Sequence, residues 1–334
     1  MSILLSDKTK VVVQGMTGKE GAKAARAMMD YHTEVICGVT PKKGGQEVEG
    51  KPIFNTVKEA LSVILSETPA RHDLPSGMSG RKNPLNQTGR DPSVASLSQD
   101  DKLKNLVSAV YVPPFAVKEA VMEAIDNGIQ LINIMAERVP IKDVAYFLAA
   151  GREKGVTIVG PSSLGIIAPG IGRIGVVGGT LVEEIFKSGS IGIISRSGGM
   201  TNELSWQVRK AGFGQSTVVH VGGDLLMGTT YADLLKLFEK DEQTKVVIIF
   251  GEHGGGYEFE IIEAIKQKRF TKPLAIYIGG KFANLFPEGM NIGHAGAIVG
   301  RGQGAAEKEE ALRSVGVMIA ERYEDLVDLI KSHA

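Results

Sequence analysis

The chain has 334 residues, a length typical of two domains, and its 43% hydrophobic content is enough to build a core in each. Lysine plus arginine equal aspartate plus glutamate at 38 each, which argues against a protein that binds nucleic acid or a membrane surface through its overall charge. The single cysteine, Cys37, excludes an internal disulfide framework. The sequence has no long apolar stretch and no leader pattern, and we therefore expect a cytoplasmic protein without membrane spans.

Short apolar runs alternate with amphipathic segments along the first half of the chain, a pattern typical of βαβ units and parallel sheets. The predicted strands are 10–14, 34–39, 106–112, 131–136 and 156–160, with helices at 22–31, 56–65, 116–128 and 144–155 between them. These elements predict an N-terminal Rossmann-like domain over residues 1–168.

Residues 68–104 interrupt this rhythm. They are polar, rich in proline, glycine, serine and asparagine, and show no hydrophobic period. We interpret them as an insertion on the surface of the first domain, either a mobile loop or a binding device.

The second half of the chain repeats the alternation. Strands are predicted within 190–199, 216–224, 245–256, 273–280 and 315–320, and helices at 202–212, 231–241, 258–269 and 323–333. We therefore expect a smaller, doubly wound, flavodoxin-like domain over residues 169–334, and the boundary near 165–170. The fold class is α/β.

A glycine-rich turn, QGMTGKEG, follows the first predicted strand. It places Gly15, Gly18 and Gly21 where backbone N–H groups and a helix N-terminus can bind phosphate. The spacing differs from GxGxxG, and the second strand lacks the acidic residue that would hold the ribose of NAD. Lys42 and Lys43 could meet a further phosphate, which favours coenzyme A. The alternative is an ordinary glycine turn with two solvated lysines.

A second turn of this kind, SRSGGMTNEL, follows the strand that begins the second domain. Ser195, Ser197, Gly198 and Gly199 can present hydroxyls and amides to an anion at a helix N-terminus. Glu203 lies in the first turns of the same helix, where it could also be a solvated residue that interacts favourably with the helix dipole.

His294 lies in the sequence NIGHAGAIVGRGQG, among small residues that allow another group to approach the ring closely. Glu252 and His253 end another predicted strand, at the edge of the sheet where ligands usually bind. The sequence has no GxSxG elbow, no GxxxxGK[ST] loop for ATP and no convincing metal-ligand spacing. If the protein uses ATP, we expect another chain to hold it.

Together these stretches resemble the α, or small, subunit of the succinyl-CoA synthetase family of acyl-CoA ligases. The resemblance covers nearly the whole chain except 68–104 and rests on QGMTGKEG, GVTPKKGG, FNTVKEA, VYVPPF, SRSGG, VGGD, GEHGG and, most specifically, GHAGAI.

The resemblance implies a role for individual residues. In that family the histidine of GHAGAI is phosphorylated during turnover, which assigns that role to His294, and Glu203 matches the glutamate that contacts it. Ser195, Ser197, Gly198 and Gly199 become candidates for binding phosphate or the acid substrate. The positions that match the family's contacts to coenzyme A are Thr17, Gly18, Lys19, Glu20, Gly21, Lys43, Val112, Pro113 and Pro114.

Two departures bear on the acid substrate. The chain has SRSGGMTNEL and GPSSLG where succinyl-CoA synthetases usually have SRSGT and GPNCPG, and in this respect it is more similar to ATP-citrate lyase and citryl-CoA synthetase. The resemblance therefore implies citrate as the acid, with succinate or malate as alternatives. It also implies a larger ATP-grasp-type subunit that holds ATP and Mg²⁺, in an αβ-based hetero-oligomer.

Two other functions stay open. A non-catalytic regulator that binds coenzyme A or a nucleotide could use the same Rossmann core without His294 or Glu203. An NAD oxidoreductase is disfavoured by the missing ribose acid.

Overall fold

A computed structural model of the chain describes residues 2–65, 103, 105–285, 294 and 304–334. It contains two seven-stranded sheets, one in each half of the chain, and it confirms the predicted α/β class. The predicted insertion lies outside the described residues except for Leu103. Within the described part of the chain, no helix combines the length and the apolar character needed to cross a bilayer.

The first sheet has the strand order β3-β4-β2-β1-β5-β6-β7, and its strands are parallel except for the antiparallel pair β3–β4. Because β2 and β5 lie on opposite sides of β1, a crevice opens at the carboxyl ends of these strands. The strands are Lys10–Gln14 (β1), Glu34–Val39 (β2), Glu47–Val48 (β3), Lys51–Phe54 (β4), Leu106–Val110 (β5), Leu131–Ile134 (β6) and Thr157–Val159 (β7); the helices are Lys19–Asp30 (α1), Val57–Leu65 (α2), Val117–Asp126 (α3) and Ile141–Glu153 (α4).

The second sheet has the order β14-β13-β12-β10-β11-β8-β9, parallel from β14 to β11 and antiparallel at β8 and β9. Its strands are Gly165–Ala168 (β8), Gly172–Gly175 (β9), Ser188–Ser195 (β10), Gln215–His220 (β11), Val246–Glu252 (β12), Leu274–Gly279 (β13) and Met318–Ile319 (β14); the helices are Val182–Ile185 (α5), Gly198–Lys210 (α6), Tyr231–Lys240 (α7), Tyr257–Lys266 (α8), Ala305–Arg313 (α9) and Asp325–Ile330 (α10). Every residue of β12 is buried, as expected for a strand covered on both faces.

The β8–β9 hairpin was not predicted. Its sequence, GIIAPGIGRIG, is short and glycine-rich and reads as a turn, but β8 pairs with β11 and extends the second sheet. The second sheet therefore begins at Gly165, ahead of the predicted domain start at 169.

The two halves are joined by hydrogen bonds. Thr33 Oγ1 donates to the carbonyl of Arg173 (2.9 Å), and the N–H of Arg173 donates to Thr33 Oγ1 (2.8 Å). Ser163 Oγ lies 3.0 Å from Asn133 Oδ1 and 2.5 Å from the carbonyl oxygen of His220. The first two bonds join the residue that precedes β2 to β9, and Ser163 links β6 to the end of β11.

Candidate active site

A cavity of about 760 Å³ opens at the carboxyl ends of β1, β2 and β5. It lies where the strand order changes direction, which is the usual ligand site of a doubly wound sheet. Its lining residues are Gln14, Gly15, Thr17, Gly18, Val39, Thr40, Pro41, Lys42, Asn55, Thr56, Tyr111, Val112, Pro113, Ala116, Glu119, Ala120 and Glu123.

The glycine turn before α1 forms one wall of this cavity and allows close backbone approach. Gly15 has φ of +84°, and a Cβ there would lie 2.7 Å from the carbonyl oxygen of Tyr111. Gly18 caps α1 and donates its N–H to the Gly15 carbonyl (3.0 Å). A Cβ on Gly21 would collide with the same carbonyl group. The N-terminus of α1 can therefore face a ligand phosphate at the cavity.

The predicted coenzyme A contacts fall in and around this cavity. Thr17, Gly18, Val112 and Pro113 line it, and Pro114 begins the 3₁₀ turn that follows. Lys19, Glu20 and Gly21 form the first turn of α1. The lysine that lines the cavity is Lys42, while Lys43 is an exposed neighbour. Sequence reasoning missed Gln14, the last residue of β1, and Glu123 on α3, whose side chains come together at this cavity. Neither was singled out because the sequence argument considered only the glycines of the turn and the family's contacts.

His294 lies in the second half of the molecule against the end of β12. Its Nδ1 donates a hydrogen bond to Oε1 of Glu252 at 2.5 Å. The His294 side chain is 37% exposed and that of Glu252 only 11%. Nδ1 is therefore held by a largely buried carboxylate, and no described residue occupies Nε2, which is left for other chemistry.

The hydrogen bond shifts the pKa values of His294 and Glu252 in the directions that favour their charged forms. Burial alone would raise the pKa of Glu252, but the hydrogen bond from His294 and the nearby charge of Arg196 bring it below its usual value. The hydrogen bond to Glu252 raises the pKa of His294 above its usual value, against the effect of burial. The carboxylate is thus ionised at neutral pH and can stabilise positive charge on the ring.

Glycine in another loop makes room for the imidazole. Gly223, in the sequence VGGD after β11, packs so closely that a Cβ there would lie 2.7 Å from Cγ of His294. The small residues that flank His294 in the sequence lie outside the described part of the chain, and their role stays a prediction. Among the described residues, Gly223 provides space for the ring.

The glutamate that the structure brings to His294 is Glu252, and not Glu203. Glu203 is half-buried on α6, where Oε1 accepts a hydrogen bond from Nε2 of Gln207 (3.4 Å). Glu203 was assigned from its position after SRSG, and a helix position does not determine which loop will approach it. The signal for Glu252 was its place at the carboxyl end of a buried strand.

The SRSG turn is ordered largely by its own hydroxyls. Ser195 is buried, and its Oγ donates to the carbonyl of Ser197 (2.9 Å) and accepts from the Ser197 N–H (3.2 Å). Ser197 Oγ caps α6 by accepting from Met200 (3.4 Å). Ser195 is thus engaged within the turn, whereas the Ser197 hydroxyl accepts a bond and keeps its own proton to donate. The N–H groups of Gly198 and Gly199 lie in the first helical turn and lack partners within the helix. A Cβ on Gly199 would meet no atom within 4 Å.

The neutral side chain of His220 holds the SRSG turn through hydrogen bonds. The N–H of Leu164 donates to Nδ1 of His220 (2.7 Å), so Nε2 carries the proton and donates to the carbonyl of Arg196 (3.0 Å). Burial lowers the pKa of His220 to about 4, which keeps the ring neutral. His220 thereby connects the start of β8 to the turn that carries Arg196.

Two family models match this chain. Residues 6–70 match the model of the CoA binding domain, and residues 194–322 match that of the CoA-ligase. The two matches fall in the two halves of the fold.

Several relatives are similar over nearly their whole length. The α1 subunit of the ADP-forming succinate–CoA ligase of Archaeoglobus fulgidus is 37% identical over 99% of this chain and 98% of that protein. The α subunit of the ADP-forming succinate–CoA ligase of Aquifex aeolicus is 40% identical over 96% and 91%. A subunit of the ADP-forming sulfoacetate–CoA ligase of Bilophila wadsworthia is 37% identical over 99% of each chain.

Among solved structures, the fold matches the ATP citrate lyase of Methanosaeta concilii in complex with (3S)-citryl-CoA. The TM-score is 0.80 at 22% identity, over 98% of this chain and 50% of that one. This chain therefore spans about half the length of that lyase.

Proposed function

The chain belongs to the family of succinate–CoA ligase α subunits, and on this premise we propose that it is the small subunit of an ADP-forming acid–CoA ligase that works through a phosphohistidine at His294. The observation that carries the proposal is the hydrogen bond from Nδ1 of His294 to the buried carboxylate of Glu252. A carboxylate on one ring nitrogen fixes the tautomer and leaves the lone pair of the other nitrogen available as a nucleophile.

In the first step, Nε2 of His294 attacks the γ-phosphorus of ATP. The N–P bond forms as the P–O bond to ADP breaks, and ADP leaves with the electron pair. The ring keeps its proton on Nδ1 and becomes cationic, and Glu252 stabilises that charge. The N–H groups of Gly198 and Gly199, at the start of α6, are the groups of this chain suited to oppose phosphate charge.

In the following steps, His294 returns to its neutral form. The phosphoryl group passes from Nε2 to a carboxylate oxygen of the acid, which gives an acyl phosphate. The acyl group is then transferred to the thiol of coenzyme A with release of phosphate. Glu252 remains the partner of Nδ1 throughout.

The first domain fits coenzyme A. The cavity of about 760 Å³ is of the size that holds a nucleotide-bearing ligand, and the close contact of Gly15 with Tyr111 leaves the backbone exposed at its wall. Lys42 supplies a positive charge beside the turn. Thr17, Gly18, Val112 and Pro113 are the predicted contacts that the cavity supports most directly.

ATP and its Mg²⁺ are proposed to lie mainly on a larger partner subunit. The sequence of this chain has no GxxxxGK[ST] loop, and the relatives are themselves named as subunits. An αβ-based hetero-oligomer is therefore the proposed assembly.

Citrate is the acid that we propose, with succinate, malate and sulfoacetate as alternatives. The open space beside Gly199, at the start of α6, suits an acid bulkier than succinate. The likeness in fold to a citrate lyase agrees with this choice. Two relatives are named for succinate and sulfoacetate, and these are the acids to compare with citrate.

The test is to label the complex of this chain and its partner with γ-³²P-ATP and Mg²⁺. We expect an acid-labile label on this chain that His294→Asn abolishes and His333→Asn, at an exposed histidine, retains. Coenzyme A is then added with each acid in turn, and the acid that discharges the label is the substrate.

The opposite result has a specific meaning. If an active partner never labels His294, the ligase proposal fails and a regulator that binds coenzyme A becomes the better description. Such a regulator would still bind coenzyme A after His294→Asn.

A further inference from the structure

Four charged side chains are buried around the end of β12. Lys308 Nζ donates to Oε2 of Glu258 at 2.6 Å, and both side chains are completely buried. Arg196 Nε lies 3.9 Å from Oε2 of Glu252, with the two side chains 1% and 11% exposed. These two cations and two carboxylates have a net charge of zero, leaving His294 aside. A buried cluster of this kind is stable only if its net charge stays near zero.

Arg196 is the member of this cluster with spare hydrogen-bonding capacity. Its Nη2 donates to the carbonyl of Asp224 (3.1 Å), while Nε and Nη1 are buried without a hydrogen-bond partner among the described residues. Oε2 of Glu252 is likewise buried without one. The guanidinium therefore acts on Glu252 as a charge held at a fixed distance, and its place is set through the Asp224 carbonyl.

We propose that Arg196 is a positioning residue that keeps the Glu252–His294 pair in the form with an ionised carboxylate and a neutral imidazole, the form in which Nε2 can attack phosphorus. This inference rests on the proposed function. With Arg196 present, Glu252 is balanced and His294 need not carry a proton on Nε2. Without Arg196 the cluster has an excess negative charge, which a second proton on His294 would neutralise.

The chemical consequence concerns one lone pair. In the neutral ring, Nδ1–H donates to Glu252 and Nε2 has a free lone pair. That lone pair forms the N–P bond while the P–O bond to ADP breaks. An imidazolium has no such pair. It must first release the Nε2 proton to solvent, so its reaction slows in proportion to the protonated fraction.

Within the described part of the chain, titratable groups from several elements surround His294 and its partner Glu252. Arg196 follows β10, Glu137 follows β6, and Asp224 and the neutral His220 lie in the loop after β11 and at its end. His253, next to Glu252 at the end of β12, and Lys308 on α9 act on Glu252. The hydrogen bond to Glu252 raises the pKa of His294 and Glu137 adds to the rise, whereas burial and Arg196 lower it. Arg196 is thus the cation that opposes Glu252 at the nucleophile.

The experiment is the pH dependence of phosphohistidine formation in a single turnover, with the full chain, its partner and Mg-ATP. We expect Arg196→Met to move the midpoint upward by about one pH unit, so that the rate below the midpoint falls about tenfold and recovers at higher pH. Arg196→Lys, which keeps the charge, should leave the midpoint near that of the wild type. Arg209→Met, at a half-buried arginine on α6, is the matched control and should not change it.

Each outcome is decisive. A uniform loss of rate in Arg196→Met with an unchanged midpoint would show a merely structural role and overturn the inference, while wild-type labelling would still support the proposed function. If Arg196→Met does not fold, Arg196→Gln, which keeps a donor for the Asp224 carbonyl, is expected to give the same upward shift, and no shift overturns the inference. If the wild type forms no phosphohistidine at any pH, both proposals fail.

Discussion

Nζ of Lys308 donates a hydrogen bond to the carbonyl oxygen of Glu252 at 2.7 Å. A second bond, to the carbonyl of Gly254 (2.7 Å), and the ion pair with Glu258 complete its contacts. Since Lys308 belongs to α9, its ammonium ties that helix to the backbone that holds the partner of His294.

Lys308→Met should therefore destabilise the protein. It leaves the Glu258 carboxylate buried without its cation, and removing one member of a buried pair costs about 3–5 kcal/mol. Urea unfolding measures the loss. Lys331→Met, at an exposed lysine, is the control, and a loss as small as that of the control would contradict this prediction.

Glu252→Gln should lower the rate of phosphohistidine formation by about a hundredfold or more, because an uncharged amide cannot stabilise the cationic ring. Glu203→Gln is the matched change on a glutamate that contacts Gln207 instead. We expect it to stay within about threefold of the wild type, since a glutamine oxygen can still accept the one weak hydrogen bond from Gln207. Rapid-quench labelling distinguishes the two, and equal losses would restore Glu203 to the site.

Gly223→Ala should displace the imidazole of His294, because the added Cβ would lie 2.7 Å from Cγ. We expect about a tenfold or larger loss of labelling, as for other small misplacements of a reacting group. Gly256→Ala places a methyl group where no atom lies within 4 Å and should label normally. Normal labelling of Gly223→Ala would show that the ring is free to move away.

Gly15→Ala tests the coenzyme A cavity. The methyl group would clash with the Tyr111 carbonyl at a residue with φ of +84°, and we expect weaker coenzyme A binding. Gly45→Ala introduces the same backbone strain, of about 1–3 kcal/mol, at φ of +83° but in open space. Calorimetric titration with coenzyme A should therefore show a loss for Gly15→Ala alone.

The Glu252–His294 pair gives stability a defined dependence on pH. The contribution of Glu252, whose pKa is lowered, is lost as the pH falls through that value. The contribution of His294, whose pKa is raised, is present below its usual pKa and is lost as the pH rises through the raised value. The difference in unfolding midpoint between the wild type and Glu252→Gln should be greatest between the two values, and a constant difference would contradict this.

Hydrophobic period and turn chemistry were sufficient for the order of the main strands and for the fold class. The predicted limits of β1 and β2 agree with the structure because both are apolar strands bounded by turns. The pairs β3–β4 and β8–β9 were missed because they are short or rich in glycine. The place of β8 in the sheet depends on its pairing with β11, which is distant in the sequence.

At the site, the sequence identified which segments take part, but it did not identify which residues contact one another. The glycine turns and the GHAGAI histidine are local patterns. The pairing of His294 with Glu252 joins residues 42 positions apart, and the spare donors of Arg196 result from burial. Neither property can be derived from residue spacing.

The placement of β8 limits where this chain can be cut. A fragment that began at 169 would lose the strand that covers one side of β11, so β11 would become a sheet edge with a row of unpaired amide and carbonyl groups. Such an edge favours aggregation, so solubility problems in an excised ligase half would report a bad cut site and not an inability of that half to fold. A fragment that starts before Gly165 retains its own covering strand.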